Sequence, residues 1–305
     1  MMELVSFTKW DRIIKIPYRM STYFMLYHLY RLKNKKKQIH NIFVGYPKTR
    51  TFQWFCENLD PSNCILLDEG VFTIQAQRDF FFRKNYLQGN DFLNNNLHSS
   101  FISRYRHWIK LYIKNHLFGL SGTHKIKYDL FTCFDLEMNV DQKCIHNNYT
   151  YTKSKVSQIV KLDNTVFFYS SPLSEVGIVT FDVEMKILSF IHEHYEKRGK
   201  KIFYIPHPSD SKEKLEYIQD HMDIKIRQST SMAEIDPIKS KQLPSDIASC
   251  LSTTLHTLGN IYNFESIKSF RIPNELIIHD GRREAIQKLY SEYEKNIEMV
   301  YLEVR

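Results

Sequence analysis

Apolar positions fall into short runs and into helical spacings, and the two alternate. Buried strands read at 41–45 (NIFVG), 63–67 (NCILL), 128–134 (YDLFTCF) and 165–169 (TVFFY), where apolar residues cluster in short runs. From 163 onward the alternation is regular. Residues 182–197 have the apolar spacing of a helix, with Gly199 as the residue after its C-cap. A strand at 201–205, a helix at 211–221 with Ser211 as N-cap, and a strand at 223–227 follow. A strand at 246–251 then enters a helix that runs through Ile261. A last strand or loop covers 266–273, and a helix covers 282–295. Strands alternating with helices predict βαβ units and a parallel sheet, hence an α/β fold.

The first half is less regular. Residues 75–120 are aromatic and basic and read as helical with long connections; residues 8–38 read as a basic helical stretch broken at Pro17. The expected organisation is an N-terminal lobe over 1–160, a Rossmann-like lobe over 161–270 and a C-terminal helical segment over 271–305 that packs back on the lobes.

Composition changes this picture little. The chain has 305 residues, 43% hydrophobic and 25% charged, which suits a soluble globular protein of two lobes. Five cysteines at irregular spacing form no CxxC pair, which points to reduced thiols and neither a zinc ribbon nor a disulfide framework. No apolar leader and no run near the roughly 20 residues of a membrane span is visible, so the expected location is the cytoplasm. The net charge of +8 asks for an anionic partner: nucleic acid, a lipid surface, a nucleotide or an acidic glycan. The basic stretch at 8–38 suits peripheral contact with the cytoplasmic face of an inner membrane, or a solvated helix end packed on the protein body.

Candidate chemistry lies where the strands end. In open parallel sheets ligands bind beyond the carboxyl ends of the strands, and polar triplets stand there: Ser170-Ser171-Pro172, Pro206-His207-Pro208 and Ser252-Thr253-Thr254. Asp68-Glu69-Gly70 stands after a strand of the first half. An exposed carboxylate at such a turn can accept a proton from an attacking hydroxyl; an acidic N-cap would look the same. His207, fixed between two prolines, can donate to a phosphate oxygen or can brace a rigid turn. Hydroxyls and amides at a helix start make an anion site as readily as a plain cap. No GxGxxG, GxxxxGK[ST], HExxH, GxSxG or Asp-x-Asp string occurs.

These residues resemble the bacterial sialyltransferases of the GT-B fold, the group of lipooligosaccharide sialyltransferases and capsular polysialyltransferases. That group carries an acid-acid-Gly triplet, a His-Pro pair and a Ser-Ser or Ser-Thr pair, matched in order by Asp68-Glu69-Gly70, His207-Pro208 and Ser252-Thr253. Ser171-Pro172-Leu173-Ser174-Glu175 is similar to the loop after the group's first donor-lobe strand, and Glu234 stands where the group often carries a ribose-binding Glu. The resemblance implies two Rossmann-like lobes facing a cleft and an inverting, metal-independent transfer of sialic acid from CMP-sialic acid to an oligosaccharide. Asp68 would be the base, with Glu69 its neighbour or the base itself, and His207 would stabilise the departing phosphate. Gly70, Ser171, Pro172, Pro208, Glu234, Ser252, Thr253 and Thr254 would complete the donor site. No metal, cofactor or nucleic acid is then expected. The rival readings are another CMP-sugar transferase, such as a Kdo transferase, and a non-enzymatic protein that binds polyanions or membrane surfaces through a stripe such as 104–116 (RYRHWIKLYIKNH).

Overall fold

The computed structural model describes residues 39–45, 58–68, 70, 127–229 and 231–302, with isolated positions 27, 30–32, 34, 55, 56, 73, 74, 77 and 109. Glu69, nearly all of 8–38 and nearly all of 104–116 lie outside the described residues. The chain divides into two compact units, Met1–Asn147 and Asn148–Arg305. The division falls at Asn147, before the expected 160, because α1 (Thr150–Lys153) and the polar start of β5 (Val160–Tyr169) both belong to the second unit.

Among the described residues the first unit has four parallel strands in sheet order β1-β2-β3-β4: β1 (Asn41–Val44), β2 (Asn63–Leu67), β3 (Asp129–Thr132) and β4 (Cys144–His146). Val44, Leu66 and Leu130, fully enclosed, form its core with Cys56 and Tyr128. The exposed β4 has no apolar run to announce it and joins the sheet through main-chain pairing with β3. Two glutamines close the β3–β4 connection. Gln142 Nε2 donates to the Tyr128 carbonyl (2.9 Å) and to Gln77 Oε1 (3.0 Å). Gln77 Nε2 donates to the Glu137 carbonyl (2.6 Å). Such a buried amide pair is stable because its donors and acceptors are matched.

The second unit is a six-stranded parallel sheet in the order β10-β9-β8-β5-β6-β7. Its strands are β5, β6 (Lys201–Ile205), β7 (Lys225–Ile226), β8 (Gln242–Ser249), β9 (Ser266–Arg271) and β10 (Glu298–Tyr301). Its helices after α1 are α2 (Phe181–Glu196), α3 (Lys212–His221), α4 (Asp236–Ser240), α5 (Thr254–Ile261) and α6 (Asp280–Tyr293). Chain order runs outward from β5 to β7, returns to β8, and runs outward again to β10. This is the dinucleotide-fold order, and its topological switch point lies between β5 and β8. The α/β, Rossmann-like class read from the sequence is the class observed.

Local chemistry explains the elements. Thr180 caps α2 by accepting the Val183 amide, and Ser211 caps α3 by accepting the Lys214 amide. Met185, Leu188, Ile191 and Tyr195 of α2 recur at helical spacing and are buried. Gly199 takes φ +66° two residues after the C-cap Lys197, a left-handed turn that glycine enters at no steric cost. Gly259 of α5 lets the helix approach β9 closely: a Cβ there would stand 2.8 Å from Ile267 Cδ1, and that side-chain end would have to shift.

Three differences from the sequence expectation have physical causes. β5 begins at Val160 instead of 165, since its first half is mostly exposed and polar. β8 begins at Gln242 and ends at Ser249 instead of spanning 246–251, and it buries Pro244, Ser245 and Asp246, residues that do not advertise a central strand. The β5–β8 ladder breaks its register between Leu162 and Val166. There the Ser245 hydroxyl stands in for the ladder, accepting the Thr165 amide (3.1 Å) and donating to the Thr165 carbonyl (2.9 Å). Lastly, the segment after 271 is not wholly helical, for its end pairs with β9 as the edge strand β10.

Candidate active site

In the first unit Asp68 directly follows β2, and its carboxylate is fixed by the neighbouring strand. Oδ1 accepts the Thr132 hydroxyl (2.6 Å) and Oδ2 accepts the Cys133 amide (2.7 Å). The Thr132 oxygen in turn accepts the Phe134 amide (3.1 Å), which orients its proton toward Asp68. Gly70 takes φ +59° and its carbonyl accepts the Thr73 amide (3.0 Å). A left-handed residue is therefore required at the third position of the acid-acid-Gly triplet. The surroundings are acidic: burial first, then the carboxylates of Asp68 and Asp135, push the Cys144 thiol up.

In the second unit the strand ends gather the other candidates. At the switch point Ser171, after β5, faces the end of β8. Its hydroxyl lies 3.4 Å from Ser249 Oγ and accepts the Leu251 amide (3.2 Å). Ser249 Oγ also accepts the Ser252 amide (3.1 Å), and Ser252 Oγ accepts the Thr254 amide (3.3 Å). Thr253 is the N-cap of α5, and its hydroxyl makes no capping bond. The residues of the triplet thus differ: Ser252 shapes the turn, Thr253 stands at the helix start without capping it, and Thr254 is the first residue of α5. Pro172 is half-buried and its carbonyl accepts the Val176 amide (3.1 Å). Pro208 is exposed.

His207 follows β6, adjacent to β5, and its side chain is exposed. The Ser209 amide donates to His207 Nδ1 (3.1 Å). Nδ1 is therefore the unprotonated nitrogen of the neutral ring, and Nε2–H is the free donor. Glu234 does not stand at a strand end but on the connection after β7, where α5 holds it. Thr257 Oγ1 donates to its Oε1 (2.9 Å), and the Tyr262 hydroxyl donates to its carbonyl (2.7 Å). Burial first, then Glu234 and Asp236, push the Tyr262 phenol up to about 12.

Beneath these loops lies a charged cluster that the sequence reading missed. Lys214 is fully buried, and its ammonium contacts Glu184 (2.6 Å), Glu175 (2.9 Å) and Asp210 (2.9 Å). Burial pulls the Lys214 ammonium down, but the three carboxylates outweigh it and the net shift is upward. Glu175 also accepts the Ser211 amide (2.9 Å), and Glu184 accepts the Ser174 amide (2.9 Å). The Tyr204 phenol lies 3.0 Å from Asp210 Oδ2, and burial first, then Asp210, hold it protonated. One signal was available in the sequence: Glu184 lies four and seven residues before the apolar Leu188 and Ile191, on the face of α2 that the structure buries. A charge there needs a buried partner.

Residues 8–271 match the family described as Alpha-2,8-polysialyltransferase (POLYST). The chain belongs to that family. Membership in the polysialyltransferase family places it with the sialyltransferases, a class of glycosyltransferases. Among solved structures it is similar to MurG of Acinetobacter baumannii, at 9% identity and a TM-score of 0.40, covering 90% of this chain and 63% of that one. It is also similar to the UDP-GlcNAc 2-epimerase of Methanocaldococcus jannaschii, at 13% identity and a TM-score of 0.41, covering 88% and 73%. The chain thus spans less than two thirds of the length of the MurG structure. No curated protein matches it in sequence. Among the described residues of this polysialyltransferase family member, no helix is long and apolar enough to cross a membrane.

Proposed function

We infer that the protein is an inverting sialyltransferase of GT-B design. It moves sialic acid from CMP-sialic acid to a hydroxyl of a glycan, and its family favours a terminal sialic acid as acceptor. The observation that supports this reading is that Ser171, His207 and Thr253 follow the carboxyl ends of the neighbouring strands β5, β6 and β8, with Ser171 bonded across the switch point to the end of β8. Such a crevice is where a nucleotide binds in this topology.

In this reading the acceptor oxygen attacks the anomeric carbon of the sialic acid as the bond from that carbon to the CMP phosphate oxygen breaks. The hydroxyl proton passes to the Asp68 carboxylate. The leaving phosphate keeps the bonding pair, and its charge is met by His207 Nε2–H and by the Thr253 hydroxyl at the start of α5. Glu234, with Oε1 occupied by Thr257, offers Oε2 to the ribose. Glu69 takes part as the neighbour of Asp68, and Gly70 shapes their turn. A nucleoside monophosphate is already a good leaving group, so protein donors suffice without a divalent ion. The net positive charge draws the anionic donor and an acidic acceptor.

The test is CMP release from CMP-sialic acid with an oligosialic acid acceptor, in EDTA. Rapid release by the wild type, reduced about 10²–10⁴-fold in Asp68→Ala and about 10²-fold or more in His207→Ala, is expected. No release, with no rise in melting temperature on adding CMP, would sink the reading; release from CMP-Kdo alone would reassign the donor.

A further inference from the structure

We propose that Asp210 is a positioning residue for His207, holding the imidazole with its proton on Nε2 and tying the His-Pro turn to the end of β5. The proposal rests on the sialyltransferase reading for what His207 does, and on geometry alone for how it is held.

Asp210 lies three residues after His207, and its side chain is 0% exposed. Four groups surround its carboxylate. Oδ1 lies 3.0 Å from the Ser170 hydroxyl and accepts the Lys214 ammonium (2.9 Å). Oδ2 lies 3.0 Å from the Tyr204 hydroxyl and accepts the His207 amide (2.9 Å). The two hydroxyls are 2.6 Å apart, so one donates to the other and a single hydroxyl proton at a time reaches Asp210. The Asp210 amide donates to the His207 carbonyl (2.9 Å). Two hydrogen bonds therefore join the same two residues and close the turn. Inside that closed turn the Ser209 amide is aimed at His207 Nδ1. The carboxylate never touches the ring, yet it fixes the backbone that selects the tautomer. Through Ser170 it also holds the residue next to Ser171, so one group sets the spacing of two donor-side loops.

Two simpler assignments fail. Lys214 is not a phosphate ligand: it is fully buried and faces three carboxylates, which match the three donors of an ammonium. Nor is Asp210 a base, since its oxygens are buried and committed to internal donors.

The test needs no ligand for its first part. In 15N-labelled full-length protein, the His207 signals, identified by their loss in His207→Gln, are expected to show the Nε2–H tautomer. In Asp210→Asn, which keeps shape and leaves Lys214 paired with Glu175 and Glu184, a tautomer mixture is expected. With CMP-sialic acid as donor, kcat should fall about 10²-fold, as misplaced catalytic groups do, with donor KM little changed. An Nδ1–H ring in the wild type overturns the proposal, and this reading stands even where the variant does not fold. A folded variant that keeps either the wild-type tautomer or the wild-type kcat overturns it too. If the wild type does not use CMP-sialic acid, the proposed function fails, while the tautomer of wild type and variant still decides whether Asp210 holds His207.

Discussion

Asp68 and His207 both stand just past the carboxyl end of a parallel strand, yet they are held in different ways. The Asp68 carboxylate is itself the anchored group, gripped by the hydroxyl and the amide at the end of β3. His207 is gripped by its backbone and by Nδ1, while Nε2 is left free and a separate carboxylate, Asp210, does the holding. The sheets differ in the same sense. The described strands of the first unit run for three to five residues; in the second only the central pair is long, β5 with ten and β8 with eight, while the edge strands β7 and β10 have two and four. The lesson is one of separability. At Asp68 half of the support is a main-chain amide that no side-chain substitution removes, and only the Thr132 bond can be deleted by itself; at His207 the holding carboxylate lies in a separate residue, Asp210, and can be mutated alone.

The comparison breaks most visibly at Lys214. Lys214→Met leaves the carboxylates of Glu184 and Asp210 buried without a cation, and a loss of about 3–5 kcal/mol is expected, read by urea denaturation. A loss near zero would show that the second unit does not depend on its charged cluster. A smaller effect is expected at Thr132. Thr132→Val keeps the shape but removes one of the two bonds on Asp68; hydrogen bonds to charged groups are worth about 1.5–3 kcal/mol. That predicts about a tenfold to hundredfold lower kcat, with the melting temperature less affected than in Lys214→Met. An unchanged kcat would mean that the Cys133 amide alone holds the base.

The smallest effect concerns acid. Burial raises the Glu175 carboxyl, but the Lys214 ammonium and the Ser211 amide outweigh it, and the net shift is downward. A carboxyl lowered by folding adds stability above its unfolded range, and that stability is lost as pH falls through the folded value. The melting temperature should therefore decline from neutral to acid pH, and less steeply in Glu175→Gln. Equal slopes would remove Glu175 from the acid response.

How much of this was legible in the sequence follows the chemistry of each segment. Residues 165–169 and 201–205 announced themselves by apolar runs, and the triplets after them marked the strand ends correctly. β4 did not, because its three residues are exposed and its pairing is carried by the main chain. β8 was half legible, since Pro244, Ser245 and Asp246 are buried there with Ser245 bridging the broken ladder and Asp246 paired with Lys200. The positioning cluster was the least legible part. Asp210 and Lys214 lie in a string of polar residues that looks solvated, and although Glu175 ends the loop singled out above, nothing in the spacing tells that the three converge. Glu69 and the basic stripe at 104–116 fall outside the described residues apart from Ile109.

The cluster around Lys214 also bears on descent. It joins the loop after β5, helix α2, the turn after β6 and the start of α3 through one ammonium. A chain that loses the lysine first keeps Glu184 and Asp210 buried without a cation, whereas one that loses a single acid keeps two carboxylates beside the ammonium. The tolerated order of change therefore runs through the acids, with the lysine last, and related chains should show a missing acid beside a retained lysine more often than the reverse.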